Sequence, residues 1–204
     1  MKYILFSLWM LFFSANCYAQ NNDICEAAYS DFNNLLEAFL QFPTDPERNE
    51  EIYNYLDELQ SLISEIHVSK EERYKLNSLL ADIKVVKEFM SPISNKYNAH
   101  LSNSNIRRLQ TIFGENFKLG KLNVKCPSDE VEFVELKIGE LVICYFHCIS
   151  KNVKNGLRIK FYASSGNSSS SGEYGASLNE YTPIIHNAGK KYVKISSASI
   201  IKRF

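Results

Sequence analysis

The 204-residue chain is short of the residues that interrupt or decorate structure, with five prolines, eight glycines, four histidines and one tryptophan. Neither sign of charge prevails, since 23 basic residues balance 23 acidic ones. Long apolar runs are equally scarce. After Phe13 no stretch approaches the ~20 apolar residues that a membrane-spanning helix needs, so no span is expected in the mature chain. The chain has no Gly-Lys-Ser/Thr phosphate loop, no Gly-x-Ser-x-Gly elbow and no His-Glu-x-x-His pair. It has no internal repeat and no heptad run long enough for a coiled coil. These absences leave no catalytic constellation. The expectation is a non-enzymatic protein with no cofactor and no metal.

The start of the chain carries an export signal. Lys2 is followed by an apolar run from Ile4 to Phe13 that holds the only tryptophan, Trp9. Cys17-Tyr18-Ala19 places small residues where a signal peptidase reads them, so residues 1–19 read as a signal peptide cut after Ala19. The mature chain is then exported, periplasmic or secreted.

Charge is unevenly placed. From Asp23 to Pro92 there are 15 acidic and 6 basic residues, whereas from Ile93 to Phe204 there are 8 acidic and 16 basic. Such asymmetry marks halves that meet different surroundings. The basic half favours anionic polymers as partners. No nucleic acid is expected.

The first half is helical. Ile24, Ala28, Phe32, Leu35, Phe39 and Leu40 recur at helical spacing up to the break at Pro43. Asp45-Pro46-Glu47 is a start signal. Behind it Ile52, Leu56, Leu59, Ile63 and Ile66 share a face. Ser69 with Glu72 forms a capping box, opening a third helix that runs to Pro92. A short fourth helix holds Ile106, Leu109, Ile112 and Phe113 and ends at Gly114. These apolar stripes read as core, and short connections make neighbours antiparallel.

The second half is β. Val131, Phe133 and Leu136 lead to a turn at Gly139, and Leu141, Val142, Ile143, Tyr145 and Phe146 follow. Asn155-Gly156 is a turn signal before Leu157, Ile159, Phe161 and Ala163, which alternate with Arg158, Lys160 and Tyr162. Ser164 to Gly172 is Ser/Gly-rich and reads as a loop. Tyr181–Ile185 and Lys191–Ile195 read as strands around a turn at Asn187-Ala188-Gly189, and Ile200 to Phe204 as a final strand.

Four cysteines remain after cleavage: Cys25, Cys126, Cys144 and Cys148. An even number in an exported chain predicts disulfides. Cys144 and Cys148 lie roughly 13 Å apart along one strand, at about 3.3 Å per residue, beyond the ~7 Å that a disulfide tolerates. Turning the strands at Gly139 sets Val131 opposite Cys148, with Cys126 just beyond. This favours Cys126–Cys148 and leaves Cys25–Cys144 as a link between the halves. A zinc site at Cys144, His147 and Cys148 is disfavoured, because His147 points away from both cysteines in a strand.

Leu122-Asn123-Val124-Lys125, Pro127-Ser128, Val134 with Leu136, Gly139-Glu140-Leu141-Val142, and Gly172-Glu173-Tyr174-Gly175 with Leu178 and Tyr181 form an ordered set. The stretch from about residue 119 to 182 resembles the bacterial Src-homology-3 (SH3-like) domain. Leu157 stands where that family usually has Trp. The resemblance implies a small β-barrel whose ligands, such as peptidoglycan peptides or a protein partner, lie in an aromatic groove between loops. The expected architecture is α+β: a helical domain over residues 20–117 and an SH3-like β-barrel over residues 118–204. The expected function is a non-catalytic binding module of the bacterial cell envelope. An immunity or inhibitor protein that blocks a partner enzyme, and an envelope hydrolase of unrecognised type, are the alternatives. Tyr162, Tyr174 and Tyr181 are the expected exposed contact set, since tyrosine offers rigid area with a polar tip.

Overall fold

The computed structural model describes residues 22–93, 100–149, 156–165, 168–176, 180–186 and 194–204. Three long helices come first: α1 (Asn22–Gln41), α2 (Pro46–Glu65) and α3 (Lys70–Met90). Their starts follow from capping chemistry. The Asp45 carboxylate accepts hydrogen bonds from the Glu47 and Arg48 amides at 3.1 and 3.2 Å. At α3, the Ser69 amide donates to Glu72 Oε2 (2.9 Å) and the Glu72 amide to Ser69 Oγ (3.3 Å), the reciprocal box that the sequence predicts. A two-residue strand, β1 (Leu101–Ser102), precedes α4 (Asn103–Phe113). The α4 helix stops at Gly114, whose φ of 51° suits glycine.

Seven further strands follow a single 3₁₀ turn: β2 (Phe117–Lys121), β3 (Val131–Ile138), β4 (Leu141–Cys148), β5 (Leu157–Ser165), β6 (Ser168–Ala176), β7 (Glu180–His186) and β8 (Lys194–Arg203). They form two antiparallel sheets, of order β1-β7-β4-β3-β2 and β6-β5-β8. The β3–β4 hairpin turns at Gly139 (φ 57°) and places Val131 opposite Cys148, as its sequence requires. The α+β class is that expected, with the three long helices before the sheets and only the two-residue β1 ahead of α4.

Alternation in β3 and β4 feeds two cores. Val134, Leu136, Ile138, Leu141, Ile143 and Tyr145 join the apolar faces of the helices, where Phe39, Phe89 and Phe113 form a triangle with ring centroids 5.9 to 6.3 Å apart. Phe133, Cys144, Phe146 and Cys148 point the other way, onto Leu157, Ile159, Phe161, Ile195 and Ala198 of the smaller sheet. The five-stranded sheet is thus the middle of three layers, and β1, a strand from the helical half, pairs with β7 through Leu101 and Tyr181.

Several expectations need correction. The Ser/Gly-rich stretch contains strand β6, in register with β5 from Ser165↔Ser168 to Leu157↔Ala176. Low propensity hid it. Its strand is held by backbone hydrogen bonds and by Gly172, where an added Cβ would come within 2.7 Å of the Phe161 ring. β7 and β8 are not a hairpin but lie in different sheets, and the turn assigned between them, at 187–189, lies outside the described residues. The tail and the preceding segment form one continuous strand, β8. Among the described cysteines no disulfide is formed. Cys25 sits in the helical core and Cys144 in the inter-sheet core. The middle sheet separates them, which rules out the Cys25–Cys144 link in this fold.

Candidate binding face

The outer face of the three-stranded sheet is built by strict alternation. Leu157, Ile159, Phe161 and Ala163 of β5 are buried, so Arg158, Lys160, Tyr162 and Ser164 point away from the core. Antiparallel pairing then sets a row of neighbours beside each of them. Arg158 lies between Lys202 and Gly175, Lys160 between Ser199 and Glu173, Tyr162 between Ser197 and Ser171, and Ser164 between Lys194 and Ser169. Two register shifts in the β5–β8 pairing, next to Arg158 and Tyr162, restore the alternation.

One more cation joins from outside the sheet. Lys125 forms a parallel bridge with Ser197, its amide donating to the Ser196 carbonyl (3.3 Å) while the Ala198 amide donates to the Lys125 carbonyl (3.1 Å). Its neighbours Val124 and Cys126 pack on the inter-sheet core, so the exposed Lys125 shares the face of Ser197 and Tyr162. The face therefore carries Lys125, Arg158, Lys160, Lys194 and Lys202 against one acid, Glu173. Among the described residues none of these five cations forms an ion pair. Tyr162 is 44% exposed at the centre, with the Lys160 ammonium 5.6 Å from its ring centroid. Serine hydroxyls at positions 164, 169, 171, 197 and 199 occupy the ground between the charges.

The end of this sheet is pinned. Arg203 donates to both carboxylate oxygens of Glu130, at 2.6 to 3.1 Å. These bonds hold the Glu130 carboxyl below its ordinary range.

The three tyrosines expected to form one exposed set are not brought together. Tyr162 is on the outer face as expected. Tyr174 is half-buried on the inner face, 5.5 Å from the Phe161 ring centroid. Tyr181 is 8% exposed and belongs to the helix-side core, so its place in an exposed set is corrected. β7 carries Tyr181 on the side that the helices cover, which alternation alone does not reveal. Leu157 is fully buried in the inter-sheet core. Of the five cations, only Arg158 and Lys160 were marked by the alternation of β5. Lys125, Lys194 and Lys202 arrive through pairings distant in sequence.

A second polar group lies inside. His147 stacks on Tyr181 with ring centroids 4.4 Å apart, and neither of its ring nitrogens has a partner among the described residues. It points to the helix side, away from Cys144 and Cys148, as expected. Burial holds its pKa down, and Glu132, its cross-strand neighbour on β3, opposes that. Glu132 in turn meets Lys121 Nζ at 2.8 Å. Burial also pushes the Tyr145 hydroxyl pKa upward. A shallow hollow at the α2–α3 corner includes His67 and Arg73, but Arg73 is engaged by the Ile63 and Ile66 carbonyls. Comparison with protein-family models, curated proteins and solved structures found no match.

Proposed function

We propose that this protein is an exported, non-catalytic binding module of the bacterial cell envelope that holds a cell-wall polymer or a protein partner on the outer face of the three-stranded sheet. The observation that carries the reading is the face itself, where five cations and an exposed tyrosine stand on rigid paired strands with a single acid among them. Rigid placement limits the entropy lost on binding. The β half is read in the same terms as an SH3-like barrel. Supporting that reading, Val124 and Tyr174, from two of the stretches that carry the resemblance, pack on the inter-sheet core.

Co-sedimentation of the mature protein with purified sacculi, beside a pull-down from envelope extract, tests the proposal. Tyr162→Ala removes an exposed ring and leaves the core intact. Truncating a binding hot spot costs about 2 kcal/mol or more, roughly thirtyfold in affinity, so the variant should lose most of its binding. Wild type that captures nothing, or Tyr162→Ala that binds as tightly as wild type, overturns the reading. Clearing of a sacculus suspension would mark a hydrolase instead.

A further inference from the structure

Resting on that reading, we infer that the ligand of this face is a phosphodiester-linked sugar or polyol polymer. The charges form a band rather than a pocket. Arg158 and Lys202 are cross-strand neighbours about 5 Å apart, and Lys160 follows about 7 Å along β5, at two residues of strand rise. Lys194, beside Ser164, closes the band about 20 Å from Arg158. A flexible chain with one charge per unit can meet such spaced cations in turn, whereas a small anion would meet only one or two.

Four of the five cations are lysines. Lysine acts on an anion as a compact point charge on a flexible stem, whereas the planar fork of arginine grips a single carboxylate or phosphate in fixed geometry. A lysine-rich band therefore suits charges spaced along a chain, and comparison with polygalacturonate separates phosphate from carboxylate. Phosphodiesters keep their charge across the ordinary pH range and suit dispersed point charges. The serine hydroxyls between the cations give donors and acceptors for sugar or polyol hydroxyls. One central aromatic, Tyr162, can cover a sugar ring. Single-stranded nucleic acid binding uses several aromatics on which successive bases stack. Among the described residues the face offers Tyr162 and, at its far end beneath the Lys202 ammonium, Phe204. The roughly 20 Å of strand between them is too long for successive bases.

Anisotropy titrations of labelled poly(glycerol phosphate) against the full mature protein would test this inference. Polygalacturonate, a single-stranded oligonucleotide, vesicles with anionic lipid and neutral dextran serve as comparison probes. Poly(glycerol phosphate) should bind at least tenfold more tightly than each of them. Its affinity should fall roughly tenfold or more between 50 and 200 mM salt, the loss expected when about three phosphates are neutralised on a single-stranded polyanion. Lys160→Gln with Lys202→Gln should cost tenfold or more, with unchanged unfolding by urea. Equal binding to the oligonucleotide or polygalacturonate would reduce the face to general polyanion attraction and overturn the inference, and tighter binding to vesicles would assign it to a membrane surface. Sacculi stripped of phosphate polymer separate the two readings. If wild type still sediments with them undiminished, this inference fails while the binding-module reading stands. If it sediments with neither intact nor stripped sacculi, both fail.

Discussion

Gly172→Ala should destabilise the protein through one identifiable contact. Gly172 lies opposite Phe161 in the β5–β6 register, on the face that points into the inter-sheet core. A Cβ there would sit 2.7 and 3.1 Å from two Phe161 ring carbons and 3.0 Å from Tyr174 Cε2. Phe161 has little free space to yield, because it is 4% exposed and the half-buried Tyr174 leans on it at 44°. Overpacking of this kind costs about 1–3 kcal/mol. Loss of unfolded-chain entropy returns about 0.4–1 kcal/mol when glycine becomes alanine. The central values leave a net loss of about 1.3 kcal/mol, which at a urea slope near 2 kcal/mol/M lowers the midpoint by about 0.6 M. Gly175→Ala is the internal control, since among the described residues its Cβ would meet only the Leu157 carbonyl oxygen at 3.9 Å. It should be neutral or slightly stabilising. Adding Phe161→Leu to Gly172→Ala should recover part of the loss. If Gly172→Ala unfolds at the wild-type midpoint, β6 does not pack against Phe161, and the third strand of the binding face loses its physical basis.

Two further outcomes are expected. The His147 pKa is held down by burial against Tyr181, with Glu132 and its partner Lys121 facing it from β3 and β2. The unfolded chain takes up the proton first, at about pH 6.5, so this stability is present above that value and is lost as pH falls toward the depressed folded pKa. The urea midpoint should therefore drop more between pH 7.5 and 5.5 in wild type than in His147→Phe, and equal drops in the two proteins would refute the account. The structure has no disulfide between Cys126 and Cys148, which share the inter-sheet core. Under the proposed export to an oxidising compartment the two should pair and resist alkylation under denaturing, non-reducing conditions, while Cys25 and Cys144 react. Labelling of all four would exclude the pair.

The helices were legible because their signals are local. Asp45, Ser69 with Glu72, and Gly114 act within one turn of chain, and the apolar stripes need only a period. The β3–β4 register was legible for the same reason, since Gly139 fixes which residues meet. Sheet membership was not. Whether β8 follows β7 into the five-stranded sheet or crosses to β5 is decided by packing between distant residues such as Ile195 and Ala163. Strand β6 was hidden because Ser and Gly have low strand propensity, yet an edge strand of small residues needs little beyond hydrogen bonds and close approach. The candidate site divides along the same line. Tyr162 and its alternation with Phe161 could be read directly, whereas Lys125, Lys194 and Lys202 reach the face only through long-range pairing.

The placement of charge now has a structural consequence. Acidic residues dominate the helical half and basic residues the β half, and two such halves could have neutralised each other by docking. The layer order prevents this. Helices cover one side of the five-stranded sheet, and the three-stranded sheet covers the other. The basic face is the outer surface of that last layer. Stacked sheets lie about 10 Å apart, and the helices lie beyond the middle sheet, so the separation exceeds the Debye length of about 8 Å at physiological salt. The acids on the helices therefore do little to screen Arg158, Lys160 and their neighbours from a ligand in solution. Along β3, β4 and β7 both faces of the middle sheet are spent on the two cores, and the inner face of the small sheet is spent on the second core. The outer face of β6-β5-β8 is left uncovered across three paired strands, and Lys125, Arg158, Lys160, Lys194, Lys202 and Tyr162 gather there.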